Sequence, residues 1–499
     1  MENVKLKNIL ENLKIGLGVA EQETDLSSYF VETNQWRCIL NGDIDIVYGP
    51  KGSGKSALYT LLTANPDEEP DKIIISADNP RGSTVFKKVE VRPPTTELEF
   101  QGLWKLYFAA LIGNFFDKKS DTCIPQIVNL IEVLQSENLI DKNKETILTR
   151  ILAIISHVRE ISGSASTNPL TGENKLEWKI VLDETQIFPN SKQISVDRLV
   201  EMANEGLAIA KKTVWIAIDR LDVAFIDNAE LEENALRALF HCYLDLLRYE
   251  NIKLKIFLRT DIWRRLTAGK SFPEASHIVK KSIIQWSEEQ LLNLIMKRLL
   301  NNQPILEHYK LDRDDVLSNF DKQKRVFDLL FPKQVDPGPK RPSALSWMLS
   351  RTADGTQQTA PRELIQLLNQ AKNEQIRNME IGASDVDNDE LFGKSAIKKA
   401  LDDVSRTRLD QTIYPEYPAL KTYIEKLEGQ KAEQTLPTLG TLWKTSPEIT
   451  KTTTTRLVEI GFFEKRGSGD LLTFWIPFIY RPALKIIQGK EDWTNYGSL

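Results

Sequence analysis

At 499 residues the chain is too long for one compact core, so two to four domains are expected. Its 41% hydrophobic and 27% charged residues are typical of a soluble globular protein, and a net charge of −5 excludes a global basic field that would hold nucleic acid nonspecifically. Three scattered cysteines without a Cys-x-x-Cys pair argue against a disulfide framework or a zinc site and favour a reducing cytoplasm. The polar N-terminus argues against a signal peptide. The lack of an apolar run of about 18 residues argues against a membrane span, so no membrane contact is expected.

The first predicted strand, residues 44–48, leads into a glycine-rich turn and a helix start at residues 57–62. The turn matches G-x-x-x-x-G-K-[ST], in which glycines let backbone N–H groups point at phosphate oxygens. Lys55 is predicted to reach the β- and γ-phosphates of ATP, and the Ser56 hydroxyl to ligate Mg²⁺. The residues predicted to bind the nucleotide are Gly49, Pro50, Lys51, Gly52, Ser53, Gly54, Lys55, Ser56 and Ala57.

The chain then alternates one strand with several helices. The apolar run 72–76 predicts a second strand. Helical spacing of apolar residues predicts helices over 98–116, 127–135, 146–160 and 195–210.

A continuous apolar run over 213–218 predicts a buried parallel strand that ends at Asp219. Ligands of open α/β sheets sit at the carboxyl ends of the strands, so Asp219 is predicted to hold Mg²⁺ through water. Many ring-forming NTPases carry glutamate directly after this aspartate, whereas this chain has Arg220. Asp222 is the nearest spare carboxylate and either polarises the attacking water or serves as a salt-bridge or helix-capping residue. This departure predicts slow hydrolysis.

The next predicted strand, residues 253–258, ends in Arg259 and Thr260. Either side chain would lie beside the γ-phosphate and sense its hydrolysis by hydrogen bonding; the alternative is an ordinary strand end. Arg264 and Arg265 follow, either as arginine fingers toward a neighbouring subunit or as a solvated face.

From residue 286 onward the pattern becomes helical, with a proline-rich loop over 332–342. Thr359 is predicted to cap a helix that has Pro361 at an early position and Arg362 in its first turn. An arginine there reaches back to the γ-phosphate and couples nucleotide state to the angle of a helical lid, or is structural.

The C-terminal third predicts helices over 395–406 and 418–428, then a helix over 448–460 and a hairpin around Gly467-Ser468-Gly469. Helices followed by a hairpin indicate a winged helix. Its basic residues would contact DNA in one interpretation, but nearby acids favour a protein contact. These basic residues are Lys451, Arg456, Lys465 and Arg466.

The predicted fold is therefore α/β, a P-loop NTPase with a parallel sheet between helices, a helical lid and a C-terminal winged-helix-like domain. Three domains are expected. They cover residues 1–285 (the ATPase core, with a helical insertion over about 98–175), 286–380 (the lid) and 381–499 (helices and the winged-helix-like part).

With these motifs placed, the chain resembles the AAA+-like and STAND-like P-loop (ASCE) ATPases, in particular a family of bacterial ATPases. The resemblance implies ATP and Mg²⁺ as ligands, a homo-oligomer, and a place in anti-phage defence loci beside a separate effector protein. In chain order it rests on Ala20-Glu21, Tyr29-Phe30-Val31, Gly52–Ala57, Ile218–Asp222, Phe257–Ile262, Trp286, Arg298, Pro361–Ile365, Trp475-Ile476-Pro477 and Tyr480-Arg481.

Three functions follow as hypotheses. The first is a cytoplasmic ATPase switch that controls oligomerisation or a partner effector, since no nuclease, TIR or protease constellation is recognisable in the chain. The second is an initiator-like or regulatory ATPase that binds DNA through the winged helix. The third is a nucleotide-gated scaffold that does not hydrolyse ATP.

Overall fold

The computed structural model describes residues 2–64, 71–77, 97–119, 123–140, 178–181, 192–219, 229–267, 272–387 and 389–490. Its contacts form two compact units, each with its own hydrophobic core. The sheet unit comprises Asn34–Gly49 and Lys55–Ile284. The helical unit comprises Met1–Thr33, Pro50–Gly54 and Gln285–Leu499. The division into three domains stays a prediction.

The helical unit contributes the first two helices, α1 (Glu2–Asn12) and α2 (Leu26–Tyr29). The strands of the sheet unit are β1 (Ile46–Gly49), β2 (Lys72–Ser76), β3 (Trp178–Val181), β4 (Lys192–Ser195), β5 (Thr213–Ile218), β6 (Ile252–Arg259) and β7 (Lys281–Ile283). Its helices are α3 (Asn34–Leu40), α4 (Lys55–Ala64), α5 (Glu97–Lys119), α6 (Pro125–Ser136), α7 (Val196–Ala210), α8 (Ala229–Leu246) and α9 (Thr260–Thr267).

Five strands form one parallel sheet in the order β2-β5-β6-β1-β7. The sheet contains all four predicted strands, over 44–48, 72–76, 213–218 and 253–258. Their apolar runs suit strands that are buried on both faces. β7 was not predicted, since three residues give too short a pattern. β6 lies between β1 and β5, with Gly49 opposite Arg259 and Ile218 opposite Ile256. The predicted α/β P-loop fold is therefore confirmed, and the carboxyl ends of β1, β5 and β6 meet at one edge.

The helical insertion predicted over about 98–175 begins with α5, which is buried around most of its circumference. Trp104 donates its indole N–H to the Ala235 carbonyl oxygen of α8 at 2.8 Å. This burial on several sides explains why α5 has apolar residues all round rather than on one stripe. The predicted helix over 146–160 lies outside the described residues.

The remaining helices of the helical unit are α10 (Glu288–Leu299), α11 (Gln303–Tyr309), α12 (Arg313–Leu317), α13 (Phe320–Leu330), α14 (Ala344–Thr352), α15 (Pro361–Glu380), α16 (Lys394–Arg408), α17 (Tyr414–Glu416), α18 (Pro418–Glu425), α19 (Leu436–Trp443) and α20 (Pro447–Glu459). A π-helix, Leu409–Ile413, joins α16 to α17. No helix in the described part of the chain is long and apolar enough to cross a membrane.

The helical unit ends in a mixed sheet of β8 (Lys431–Gln434), β9 (Glu464–Arg466), β10 (Thr473–Trp475) and β11 (Ile487–Lys490), in the order β11-β8-β10-β9. β9 and β10 form the predicted antiparallel hairpin. The elements follow one another in the order α18, β8, α19, α20, β9, β10, and the winged helix stays a prediction. β8 and β11 were not predicted because both are short and polar.

One predicted helix cap is wrong. Ala360, not Thr359, occupies the N-cap position of α15. The Thr359 hydroxyl instead donates to the Leu349 carbonyl oxygen at 2.8 Å, so it ties α14 to the segment before α15. Pro361 is at the start of the helix, as predicted.

Candidate functional site

In the sheet unit, the first turn of α4 faces the carboxyl end of β5. The Ser56 hydroxyl donates to a carboxylate oxygen of Asp219 at 2.9 Å. These residues are 163 positions apart and are brought together because α4 follows β1, two strands from β5 in the sheet. A hydroxyl and a carboxylate at this spacing are hard oxygen donors that fit Mg²⁺.

Lys55 opens α4, and its ammonium group donates to the Gly49 carbonyl oxygen at 2.8 Å. The side chain therefore folds back over the turn instead of extending into solvent. This places a positive charge at the helix N-terminus, where the helix dipole also favours an anion.

At the end of β6, the two residues predicted to sense the γ-phosphate differ in their hydrogen bonds. The Arg259 guanidinium donates to both carboxylate oxygens of Asp261, at 3.0 and 2.9 Å. The Thr260 side chain is buried, and its hydroxyl makes no hydrogen bond in the described part of the chain. Buried hydroxyls ordinarily have a hydrogen-bond partner. Thr260 is therefore a better candidate than Arg259 to bind the γ-phosphate.

Of the remaining candidates, the structure describes Arg264 and Arg265. Asp222 and Arg220 lie outside the described residues, so the role of Asp222 stays a prediction. Arg265 pairs with Glu232, and Arg264 is exposed. An exposed guanidinium suits either predicted role of Arg264, the arginine finger or the solvated face.

In the helical unit, the middle of the phosphate loop packs against the start of α15. Gly52 and Gly54 have φ angles of +82° and +103°, which favour glycine. A Cβ on Gly52 would lie 3.0 Å from the Arg362 Cβ and 3.1 Å from a Glu363 carboxylate oxygen. The Arg362 backbone N–H donates to the Gly52 carbonyl oxygen at 3.4 Å. The loop and the predicted lid arginine are thus in direct contact.

Two further contacts fix this part of the loop. The Trp286 indole N–H donates to the Ser53 carbonyl oxygen at 2.9 Å. The Arg362 side chain donates from Nε to the Gly18 carbonyl oxygen at 3.3 Å. The Ser53 hydroxyl is buried without a hydrogen-bond partner in the described residues. An unpaired buried hydroxyl within a phosphate-loop motif fits an anion acceptor.

A buried charge cluster lies behind this contact and was not predicted. Glu363, in the first turn of α15, pairs with Arg408 at the end of α16, and Arg408 lies 3.6 Å from Asp354. Burial lowers the pKa of Arg408, but the two acids and Tyr480 outweigh it and the pKa is raised. Burial raises the pKa of Asp354 despite Arg408. The sequence shows only isolated charged residues in and beside helices here, and a sequence pattern does not distinguish these from charges on a solvated face.

The phosphate loop makes a second ion pair that was not predicted. The Lys51 ammonium pairs with a carboxylate oxygen of Glu416 at the end of α17. The two side chains are 30% and 17% exposed, so the pair is partly shielded from water. No local pattern could have found it, because 365 positions separate the two residues.

Two of the four basic residues assigned to the C-terminal hairpin region are neutralised within their own elements. Arg456 pairs with Glu459 at 3.1 Å, and Arg466 forms a two-pronged pair with Glu464 at 2.8 Å. Lys451 is exposed on α20. Both ion pairs involve acidic residues close in sequence to the arginines, which the sequence had indicated would offset their charge.

No family model matches the chain, and none of the curated proteins matches it. The Walker-type ATPase of Pyrococcus abyssi is similar at 11% identity over 92% of this chain and 96% of its own, with a TM-score of 0.41. The Orc1 protein of Aeropyrum pernix, solved in complex with DNA, has 11% identity, coverages of 93% and 96%, and a TM-score of 0.35. Cdc6p from Pyrobaculum aerophilum has 11% identity, coverages of 93% and 98%, and a TM-score of 0.29. At these TM-scores the fold class rests on the sheet order and the phosphate-loop motif, which identify an α/β P-loop fold.

Proposed function

We propose that this protein is an ATP-binding and slowly ATP-hydrolysing switch. The observation that carries the proposal is the hydrogen bond between Ser56 and Asp219, at the start of the helix that follows a G-x-x-x-x-G-K-[ST] loop. Residues 49–57 bind the nucleotide, and Ser56 and Asp219 hold Mg²⁺. The ion, when bound, neutralises charge on the phosphate oxygens.

The chain's own groups position the phosphates and respond to them. Lys55 exchanges its bond to the Gly49 carbonyl for the β- and γ-phosphates. Thr260 supplies to the γ-phosphate its buried hydroxyl, which has no hydrogen-bond partner within the described ranges, while Arg259 orients the end of β6 through Asp261. Arg362, whose backbone already contacts the loop, reads the γ-phosphate from α15. Nucleotide state thereby sets the position of the lid.

Hydrolysis is slow because the residue after Asp219 is Arg220 rather than glutamate. Asp222 takes the role of orienting the attacking water. A scaffold that binds ATP without cleaving it remains the alternative, and measured turnover separates the two functions.

The output of the switch is homo-oligomerisation or control of a separate effector protein in the cytoplasm, in the setting of bacterial anti-phage defence. Support for this context is the resemblance to defence-associated ATPases in the order of motifs. DNA binding through the C-terminal hairpin region receives less support. Arg456 and Arg466 already pair with glutamates, and these carboxylates partly neutralise the positive charge that would attract DNA phosphates.

Release of labelled phosphate from ATP tests the enzyme. Wild type is expected to release phosphate slowly, and Lys55→Ala to reduce both nucleotide affinity and turnover by roughly tenfold or more, because it removes the charge-assisted contacts to the phosphates. Lys118→Ala, at an exposed position near the end of α5, is the matched control and should behave as wild type. If wild type binds ATP but releases no more phosphate than Lys55→Ala, the ATPase hypothesis is wrong and the scaffold that binds ATP without cleaving it is supported.

A further inference from the structure

The Lys51–Glu416 pair joins the phosphate loop to a segment that no nucleotide-binding motif predicts. Lys51 lies within the turn, directly before Gly52, so its side chain starts from the backbone that would hold the phosphates. The Glu416 carboxylate pairs with its ammonium. A phosphate and a carboxylate around one ammonium repel each other.

The segment that carries Glu416 is anchored at its other end. Arg408, which precedes the π-helix Leu409–Ile413, is 6% exposed and pairs with the 4% exposed Glu363. Breaking a buried ion pair of this kind is costly, so Arg408 is the fixed end of the segment. Glu416, at 17% exposure, is the end that can leave at lower cost.

The π-helix between the two ends keeps Leu409 and Ile413 buried, whereas the turn Tyr414–Glu416 that follows it has no buried residue and can change position. A π-turn has a wider hydrogen-bonding ring than an α-helix and is found often at functional sites. Here the π-helix is followed, after Tyr414, by Pro415. Because proline has no backbone N–H, it cannot donate a helical hydrogen bond. Beyond Glu416 the chain runs directly into α18 and then β8 of the C-terminal sheet.

We propose that Glu416 competes with nucleotide phosphates for Lys51, so that nucleotide binding releases the turn Tyr414–Glu416 and transmits the state of the loop to the C-terminal sheet. The inference rests on the proposed nucleotide binding and adds its regulation. Thermodynamic linkage makes the effect reciprocal: whatever holds Glu416 on Lys51 weakens nucleotide binding by the same factor.

The affinity of Glu416→Gln for Mg²⁺ and a non-hydrolysable ATP analogue, measured by calorimetry, tests the competition. The variant is expected to bind about fivefold more tightly than wild type, the lower end of typical coupling factors. Glu425→Gln is the matched control, because it removes the same charge from α18, where Glu425 pairs with Lys421 rather than with the loop. Its affinity should equal that of wild type.

A double-mutant cycle separates direct competition from a general change in charge. In a Lys51→Gln background, Glu416→Gln should give no further gain in affinity, because the shared ammonium is gone. Hydrogen exchange of residues 414–417 should accelerate when nucleotide is added to wild type and also in Lys51→Gln without nucleotide.

The failures are distinguishable. Equal affinities of wild type and Glu416→Gln, with binding lost in Lys55→Ala, overturn the competition and leave the proposed function intact. The same gain in affinity in both Lys51 backgrounds also overturns it, since the effect would then not pass through Lys51. A wild-type protein that binds no nucleotide overturns both proposals.

Discussion

Gly52 shows how closely a single residue of the loop is constrained. Its φ angle of +82° disfavours a side chain, and a Cβ there would meet α15 at 3.0 Å. The two penalties have different origins, one in the residue's own backbone and one in its neighbours. Another glycine of the helical unit, Gly382, has a φ angle of +69° with nothing within 4 Å of the same position.

Gly52→Ala is therefore expected to weaken nucleotide binding by roughly tenfold or more, because the loop must move away from Arg362 and Glu363. Gly382→Ala should cost only the backbone strain of about 1 kcal/mol and leave nucleotide affinity unchanged. Calorimetric titration with the ATP analogue and thermal unfolding check both variants. Equal nucleotide affinities of the two variants would show that the contact with α15 does not constrain the loop.

At the scale of elements, one carboxylate fastens the proline-rich loop over 332–342 to two helices. Asp336 accepts from the Trp347 indole N–H of α14 at 2.8 Å and pairs with Lys398 of α16 at 2.8 Å. Burial alone would raise the pKa of Asp336, but Lys398, Trp347 and Arg351 outweigh it and the pKa is lowered. A lowered pKa in the folded state means that ionised Asp336 stabilises the fold.

The stability that Asp336 contributes is present above its unfolded pKa of about 4 and is lost as pH falls through the lower folded pKa. Asp336→Asn should cost about 1.5–3 kcal/mol at pH 7, the usual size for a hydrogen bond to a charged group, and progressively less below pH 4. Urea unfolding of the helical unit at pH 7 and pH 3.5 measures the difference. Asp314→Asn, in a pair whose carboxylate is 91% exposed, is the control and should change little. An equal loss at both pH values would contradict the assignment.

At the scale of the whole molecule, the phosphate-loop motif is divided between two sets of contacts. Residues 50–54 belong to the helical unit, whereas Gly49 and the helix from Lys55 onward belong to the sheet unit. Ser56 and Asp219 lie in the sheet unit, and Arg362, Glu416 and Trp286 lie in the helical unit. The residues of one short motif are therefore shared between the two units.

If the response ends in assembly, native mass spectrometry with Mg²⁺-ATP should show a larger species than without nucleotide. Lys55→Ala should keep the nucleotide-free mass under both conditions, because it lacks the phosphate contacts that drive the change. A wild-type mass that is the same with and without ATP would remove oligomerisation from the proposed outputs and leave control of a separate effector.

The sequence by itself determined the parts of this protein that depend on local order. The glycine spacing, the apolar runs of β1, β2, β5 and β6 and the hairpin turn all act through near neighbours, so their patterns identify the elements and the P-loop fold. Proximity of Ser56 to Asp219 could be predicted too, because parallel strands bring their carboxyl ends to one edge.

Only the tertiary structure decided which distant charges meet. Arg259 is engaged by Asp261, while the Thr260 hydroxyl has no hydrogen-bond partner among the described residues. Thr359 binds Leu349 rather than capping α15. The pairing of Lys51 with Glu416 depends on the packing of the helical unit, because a charge on a helix carries no periodic signal that names its partner. Periodicity reports which face of an element is buried, and only the fold reports what that face is buried against.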